Sequence, residues 1–224
     1  MENITWLGHA SFMLKETSGK IYYIDPFQLP KNKELQKADI IFVTHAHYDH
    51  FSQEDILKIL NHDTTVVATP DVLEKLQVPD SQKFPVEPNK SYEIKGFKFS
   101  TVPAYNVKPE KLQFHPQKNR WVGYILELNG KKIYHPGDTD YIPEMRELSE
   151  KHIDIALLPM GGTYTMDVDQ MIEAALAIKP KTVVPMHYKG IKQASLLGDK
   201  SSEAEERLKA GVKNAEVVIL EEFK

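Results

Sequence analysis

The sequence predicts an α/β fold of two mixed β-sheets packed face to face, with helices on the outer faces. Three observations carry this expectation. Short β-rich runs bounded by turn residues recur along the whole chain. The order of elements, hairpins first and then strands alternating with helices, occurs twice. The length, 224 residues, suits a single domain, here 1–224 with two similar halves. A polar stretch near 78–90, with Pro79, Pro85 and Pro88, is the expected surface link between the halves.

The elements follow in order. Asn3–Leu7, Ser11–Lys15 and Ile21–Asp25 are β-rich and separated by Gly8 and by Ser18-Gly19. Asp39–Thr44 is a nearly unbroken apolar run, the pattern of a strand buried on both faces. Ser52–Asn61 reads as a helix, with Ser52 as cap, Asp55 in the N3 place and an apolar face of Ile56, Leu57, Ile59 and Leu60. Thr64–Thr69 is a strand and Asp71–Gln77 a short helix. The second half opens on two hairpins. Ser91–Ile94 and Phe97–Val102 flank Lys95-Gly96, and Val122–Leu128 and Lys131–His135 flank Asn129-Gly130. Buried strands at Ile153–Leu158 and Thr182–Met186 alternate with helices at Val168–Ile178 and Ser202–Lys209, and Glu216–Leu220 closes as a strand. Trp6 and Trp121 are expected in the core.

Composition narrows the function. There is no cysteine, which excludes disulfides, thiolate nucleophiles, Cys-type zinc sites and iron–sulfur clusters. Lys+Arg is 28 against 32 Asp+Glu, so a broad basic surface for nucleic acid is not favoured. No apolar run approaches the ~20 residues of a membrane span. The start, Met1-Glu2-Asn3-Ile4, lacks a cationic leader segment, so a cytoplasmic protein is expected. Oligomeric state is not readable.

The chemistry gathers at strand ends. His45-Ala46-His47-Tyr48-Asp49-His50 sits between a buried strand and a helix. Imidazoles and a carboxylate are what zinc, manganese or iron take when no thiolate is present. In sheets flanked by helices, ligands collect at the carboxyl ends of strands. Asp138 follows Lys131–His135, and His187 follows Thr182–Met186. Taken alone, Asp138 is a turn residue and His187 a core-edge histidine; beside the cluster, both become candidate ligands. His9 is either a contact to the site or a histidine at a strand turn. Gly162, in Gly161-Gly162-Thr163-Tyr164, either allows close approach of a ligand or makes a plain turn. Tyr105, Tyr164 and Tyr188 form an aromatic rim or simply pack. The long polar segment Asn106–Arg120 is a candidate flap. His62 and His152 read as surface residues, and His135 as structural.

These residues resemble the metallo-β-lactamase superfamily of metal-dependent hydrolases. Within it the chain is similar to the small single-domain branch of ascorbate-6-phosphate lactonase and N-acylphosphatidylethanolamine phospholipase D, which shares the opening Trp6-Leu7-Gly8-His9-Ala10-Ser11-Phe12. The resemblance implies a four-layer αββα sandwich. It also implies two divalent ions, zinc first and manganese or iron next, and a metal-activated hydroxide. That hydroxide would cleave a small ester, lactone, amide or phosphodiester. By the same resemblance, His45 and His47 bind one ion, Asp49 and His50 a second, Asp138 bridges them, and His187 completes the second site. Asp49 would collect the proton of the attacking water, with His9 and Tyr188 as candidate acids. Tyr105, Asn106, Gly162, Tyr164 and Tyr188 would face the substrate. The chain departs from the family at Val102-Pro103-Ala104-Tyr105-Asn106, with Asn where a further histidine ligand is expected. Either His115, in Phe114-His115-Pro116, takes that place, or a single ion is held. The rival reading is a non-enzymatic or degenerate metal- or ligand-binding protein on the same fold, and Asn106 is the feature that supports it.

Overall fold

The structure, a computed structural model, describes residues 1–31, 33–189 and 197–223. The chain divides into two compact units, Met1–Glu87 with Glu221–Lys224, and Pro88–Leu220.

The first unit holds a six-stranded sheet among the described residues, in simple chain order. Its strands are β1 (Ile4–Gly8), β2 (Ser11–Lys15), β3 (Ile21–Ile24), β4 (Ile40–Val43), β5 (Thr65–Ala68) and β6 (Lys83–Pro85). β1 to β3 pair antiparallel, and β3 to β6 pair parallel. Every residue of β3 and β4 is buried, which is why both read as continuous apolar runs rather than alternations. Helices α1 (Gln53–Ile59) and α2 (Pro70–Lys75) lie in the crossovers from β4 to β5 and from β5 to β6. Ser52 caps α1 as expected, its Oγ accepting from the Asp55 N–H at 3.2 Å. The Asp55 carboxylate also accepts from the backbone N–H groups of Gln28 and Leu29, at 2.8 and 3.2 Å, and so anchors the loop after β3. Ile41, Val43, Val66 and Ala68 pack with Ile56, Ile59 and Val72 in one core.

The stretch expected as a plain link contains β6. Its side chains show no apolar alternation, so composition pointed to a loop. The buried Gln82 explains its place instead, since its Nε2 donates to the carbonyls of Asn61 and Thr64 at 2.7 and 3.0 Å. Pro85 is tolerated because β6 is an edge strand.

The second unit repeats the plan. β7 (Ser91–Ile94), β8 (Phe97–Pro103), β9 (Val122–Leu128), β10 (Lys131–His135), β11 (Ile155–Pro159), β12 (Thr182–Met186) and β13 (Glu216–Val217) form a seven-stranded sheet in chain order. β7 to β10 pair antiparallel, and β10 to β13 pair parallel. Both hairpin turns place two successive residues at positive φ, Lys95 and Gly96 at 53° and 79°, and Asn129 and Gly130 at 51° and 73°. That backbone suits the twist of the flanking strands. α3 (Val168–Ile178) is capped by Asp167, whose Oδ1 accepts from the Gln170 N–H at 2.9 Å, and α4 (Ser201–Gly211) follows. Two features depart from expectation. A 3-10 segment, Pro143–Lys151, buries Met145 and Leu148. The last strand is shorter than Glu216–Leu220, although the Val218 N–H still reaches the Val183 carbonyl at 2.9 Å. No described helix is long and apolar enough to cross a membrane.

Gly123, on β9, lies against the backbone of Pro136. A Cβ there would stand 2.6 Å from the Pro136 Cα and 2.7 Å from its carbonyl oxygen. Backbone lies on both sides of the clash, so little can yield. Gly123→Ala is therefore expected to cost ~1–3 kcal/mol, read as a melting temperature several degrees lower by calorimetry. An unchanged melting temperature would show that the turn carrying Asp138 moves freely.

Candidate metal centre

In the first unit the candidate residues leave the carboxyl ends of three strands of one sheet. His9 follows β1, Asp25 follows β3, and Thr44-His45-Ala46-His47 follows β4. His9 and Asp25 hold left-handed backbone, at φ 50° and 45°. Such positions cost on the order of 1–3 kcal/mol and cluster at functional sites.

Asp25 organises this end of the sheet, although no motif in the sequence marks it. It is fully buried. Its Oδ1 accepts from the Thr44 N–H at 2.8 Å, and its Oδ2 accepts from the Thr44 hydroxyl at 2.7 Å. Oδ2 also lies 2.7 Å from His50 Nδ1, so that nitrogen carries the proton. Because the Thr44 hydroxyl donates to Asp25, it accepts from His45 Nδ1, 2.9 Å away. One carboxylate thus fixes two tautomers, and in the neutral rings Nε2 of both His45 and His50 keeps its lone pair. His45 Nε2 faces His47 Nδ1 at 3.1 Å. Asp49 Oδ2 lies 3.0 Å from His9 Nε2 and 3.9 Å from His50 Nε2.

In the second unit Asp138 sits in the turn after β10 and His187 directly after β12, again at positive φ, 56°. Asp138 Oδ2 lies 3.2 Å from His115 Nε2 and 3.1 Å from His187 Nε2. All three are buried. Asn106 stands behind His115, its Oδ1 2.8 Å from His115 Nδ1.

The other expected residues have partners of their own. The Tyr105 phenol donates to Glu144 at 2.9 Å, and burial together with that carboxylate pushes its pKa up to about 12. The buried Tyr188 donates to Glu205 at 2.6 Å, and burial first, then Glu205, drives its pKa well up. Gly162, at φ 80°, makes a tight turn in which its N–H donates to the Met166 carbonyl at 3.0 Å. Tyr164 is exposed and meets Phe114 edge-on at 4.8 Å between ring centroids. His62 and His152 are exposed. His135 is buried, and its Nδ1 accepts from the Gly137 N–H at 3.2 Å.

The expected flap, Asn106–Arg120, is tied down within its own unit. Buried Asp140 accepts from the N–H groups of Val107 and Lys108 at 2.9 and 3.0 Å. Lys108 pairs with Asp167 at 2.8 Å, and buried Lys111 donates to the Thr165 carbonyl at 2.6 Å.

The donor sets suit a small divalent ion. Two ligands each ~2.0–2.2 Å from a tetrahedral zinc stand about 3.3–3.6 Å apart. The pairs within each unit, at 3.1 Å for His45 and His47 and at 3.2 and 3.1 Å around Asp138, are close to that spacing.

Comparison with known proteins agrees. A family model described as the Beta-lactamase superfamily domain matches residues 3–187. A UPF0173 metal-dependent hydrolase of Thermoplasma acidophilum is 38% identical over 198 residues, 84% of each chain. A solved structure from Parabacteroides distasonis is 33% identical with a TM-score of 0.84, covering 98% of this chain and 93% of that one. Igni18, a metallo hydrolase of the hyperthermophilic archaeon Ignicoccus hospitalis, is 26% identical with a TM-score of 0.79, over 99% and 95% of the two chains. The expected α/β class with two mixed sheets holds, and the chain belongs to the beta-lactamase superfamily, within the UPF0173 metal-dependent hydrolases, with the metallo-β-lactamase fold.

Proposed function

We propose that the chain is a hydrolase that holds two divalent ions and cleaves a small ester, lactone, amide or phosphodiester. The observation that supports this most is the set of imidazoles whose proton is fixed on the rear nitrogen, by Asp25 in the first unit and by Asn106 in the second. In this reading His45, His47 and His115 hold one ion. Asp49, His50 and His187 would hold the other, and Asp138 would serve as a ligand shared by both. Imidazole and carboxylate donors favour zinc, with manganese and iron next. Bound ions would act as Lewis acids and bring the pKa of a water near neutrality.

The chain's own groups then divide the work. Asp49 collects the proton of the attacking water. His9, 3.0 Å from Asp49 Oδ2, steadies that carboxylate and passes the proton to the leaving group. Tyr188 is assigned no proton transfer, because its proton is held against Glu205 and its pKa is raised. Tyr164, with its ring exposed, is the substrate contact among the expected rim residues, while Tyr105, Asn106 and Gly162 shape the wall behind it. In this reading 1–224 works as one domain, on a small-molecule substrate in the cytoplasm. The degenerate-protein reading loses its support, since Asn106 serves His115 instead of standing in for a lost ligand.

Chelation tests the proposal. EDTA-treated protein is expected to lose hydrolysis of chromogenic ester, lactone and phosphodiester substrates, and to regain it with zinc, manganese or iron(II). Hydrolysis that survives complete chelation would contradict the proposal.

A further inference from the structure

The Asn106 side chain bridges two different groups. Its Nδ2 lies 3.0 Å from the Tyr164 carbonyl oxygen, and its Oδ1 lies 2.8 Å from His115 Nδ1. A backbone carbonyl only accepts, so the amide nitrogen must face it, which turns the amide oxygen to His115. An amide oxygen also only accepts. His115 Nδ1 is therefore the protonated nitrogen, and Nε2 of the neutral ring carries the lone pair toward Asp138, 3.2 Å away. A second tie runs along the backbone, where the Asn106 N–H donates to the His115 carbonyl at 2.8 Å. Asn106 and His115 are both 1% exposed, so water does not compete for these bonds.

We infer that Asn106 is a positioning residue that locks His115 in its Nδ1–H form, so that a histidine nine residues further along the chain serves as ligand. The inference rests on the metal-dependent reading above. It also explains why the residue is Asn. A carboxylate at this position would keep the acceptor for His115 but set an oxygen against the Tyr164 carbonyl. A histidine would lose the two-sided bridge.

There is a consequence for affinity. His50, on one ion, is backed directly by the Asp25 carboxylate, whereas on the other ion His45 is backed only through the Thr44 hydroxyl and His115 by a neutral amide. A charged partner raises imidazole basicity more than a neutral one. The ion that His115 helps to hold is thus the weaker of the two and leaves first.

The test uses zinc alone as probe, on full-length protein. Zinc affinities are read by competition with a chromogenic chelator. The His115 tautomer is read from side-chain nitrogen shifts by NMR in metal-free protein, and circular dichroism controls the fold. Wild type is expected to release zinc in two steps and to show His115 as Nδ1–H. Asn106→Leu should weaken the looser zinc by about 10–100-fold, leave the tighter one unchanged, and shift the tautomer. Asn106→Asp keeps the acceptor for His115 but sets an oxygen against the Tyr164 carbonyl, so it should lower the melting temperature and still restore the Nδ1–H form. Two zinc ions bound by Asn106→Leu with wild-type affinities, or a His115 tautomer shifted in Asn106→Asp as in Asn106→Leu, would overturn the positioning role and leave the hydrolase reading standing. Wild type that binds no zinc would overturn both.

Discussion

His47→Ala is expected to abolish hydrolysis while the fold survives. His47 is only partly buried, and its Nδ1 faces His45 Nε2 at 3.1 Å. It lies in the turn before α1 and adds little to the core, so its removal should move the melting temperature by only a few degrees. The chemical cost is much larger. Lewis-acid stabilisation of a transition state is worth several kcal/mol, and losing ~4 kcal/mol slows a reaction by about three decades. The variant should therefore lose at least that factor in kcat/KM, with one zinc fewer per chain. Near-wild-type turnover would remove His47 from the site and with it the assignment of the neighbouring motif.

Substitution of Asp25 should damage both stability and metal binding, in separable amounts. Asp25→Ala strands the buried donors of Thr44 and His50. Breaking a buried charged partner in this way costs ~3–5 kcal/mol, measurable by chemical denaturation. Asp25→Asn is the finer probe, because Asn accepts the left-handed backbone found there. Its amide oxygen can keep one bond, but its NH2 would then meet N–H or O–H donors. His50 is pushed toward the opposite tautomer, and zinc affinity should fall about 10–100-fold while most stability is retained. Wild-type zinc affinity in Asp25→Asn would mean that His50 is not oriented by this carboxylate.

The elements most legible in the sequence are those whose signals are local. The Asn129-Gly130 turn sets β9 and β10 to the residue, and the apolar spacing of 168–178 does the same for α3. The His45–His50 cluster stands out because several ligand types fall within one turn after a buried strand. What was not legible depends on pairing between strands. Asp25 reads as the last residue of an apolar strand before Pro26. Its role appears only when β3 lies parallel beside β4, in register Ile24 to Phe42, so that Thr44 and His50 come to its carboxylate. An Asp at the carboxyl end of a buried strand is the signal that could have found it. Asn106 and His115 stood as alternatives for one ligand position, and only the hydrogen bonds make them partners. Asp140, which ties down the segment expected as a flap, follows Gly137-Asp138-Thr139 and was masked by that stronger motif. β6 is hidden for a different reason, since its place comes from a buried glutamine and not from apolar alternation.

The central claim is that the chain's imidazoles and carboxylates hold two divalent ions. Elemental mass spectrometry on the purified chain tests it most directly, with EDTA-treated protein as control. The account predicts about two ions of zinc, manganese or iron per chain, falling to about one in His47→Ala. No ion bound by the wild-type chain, even after reloading, would contradict it.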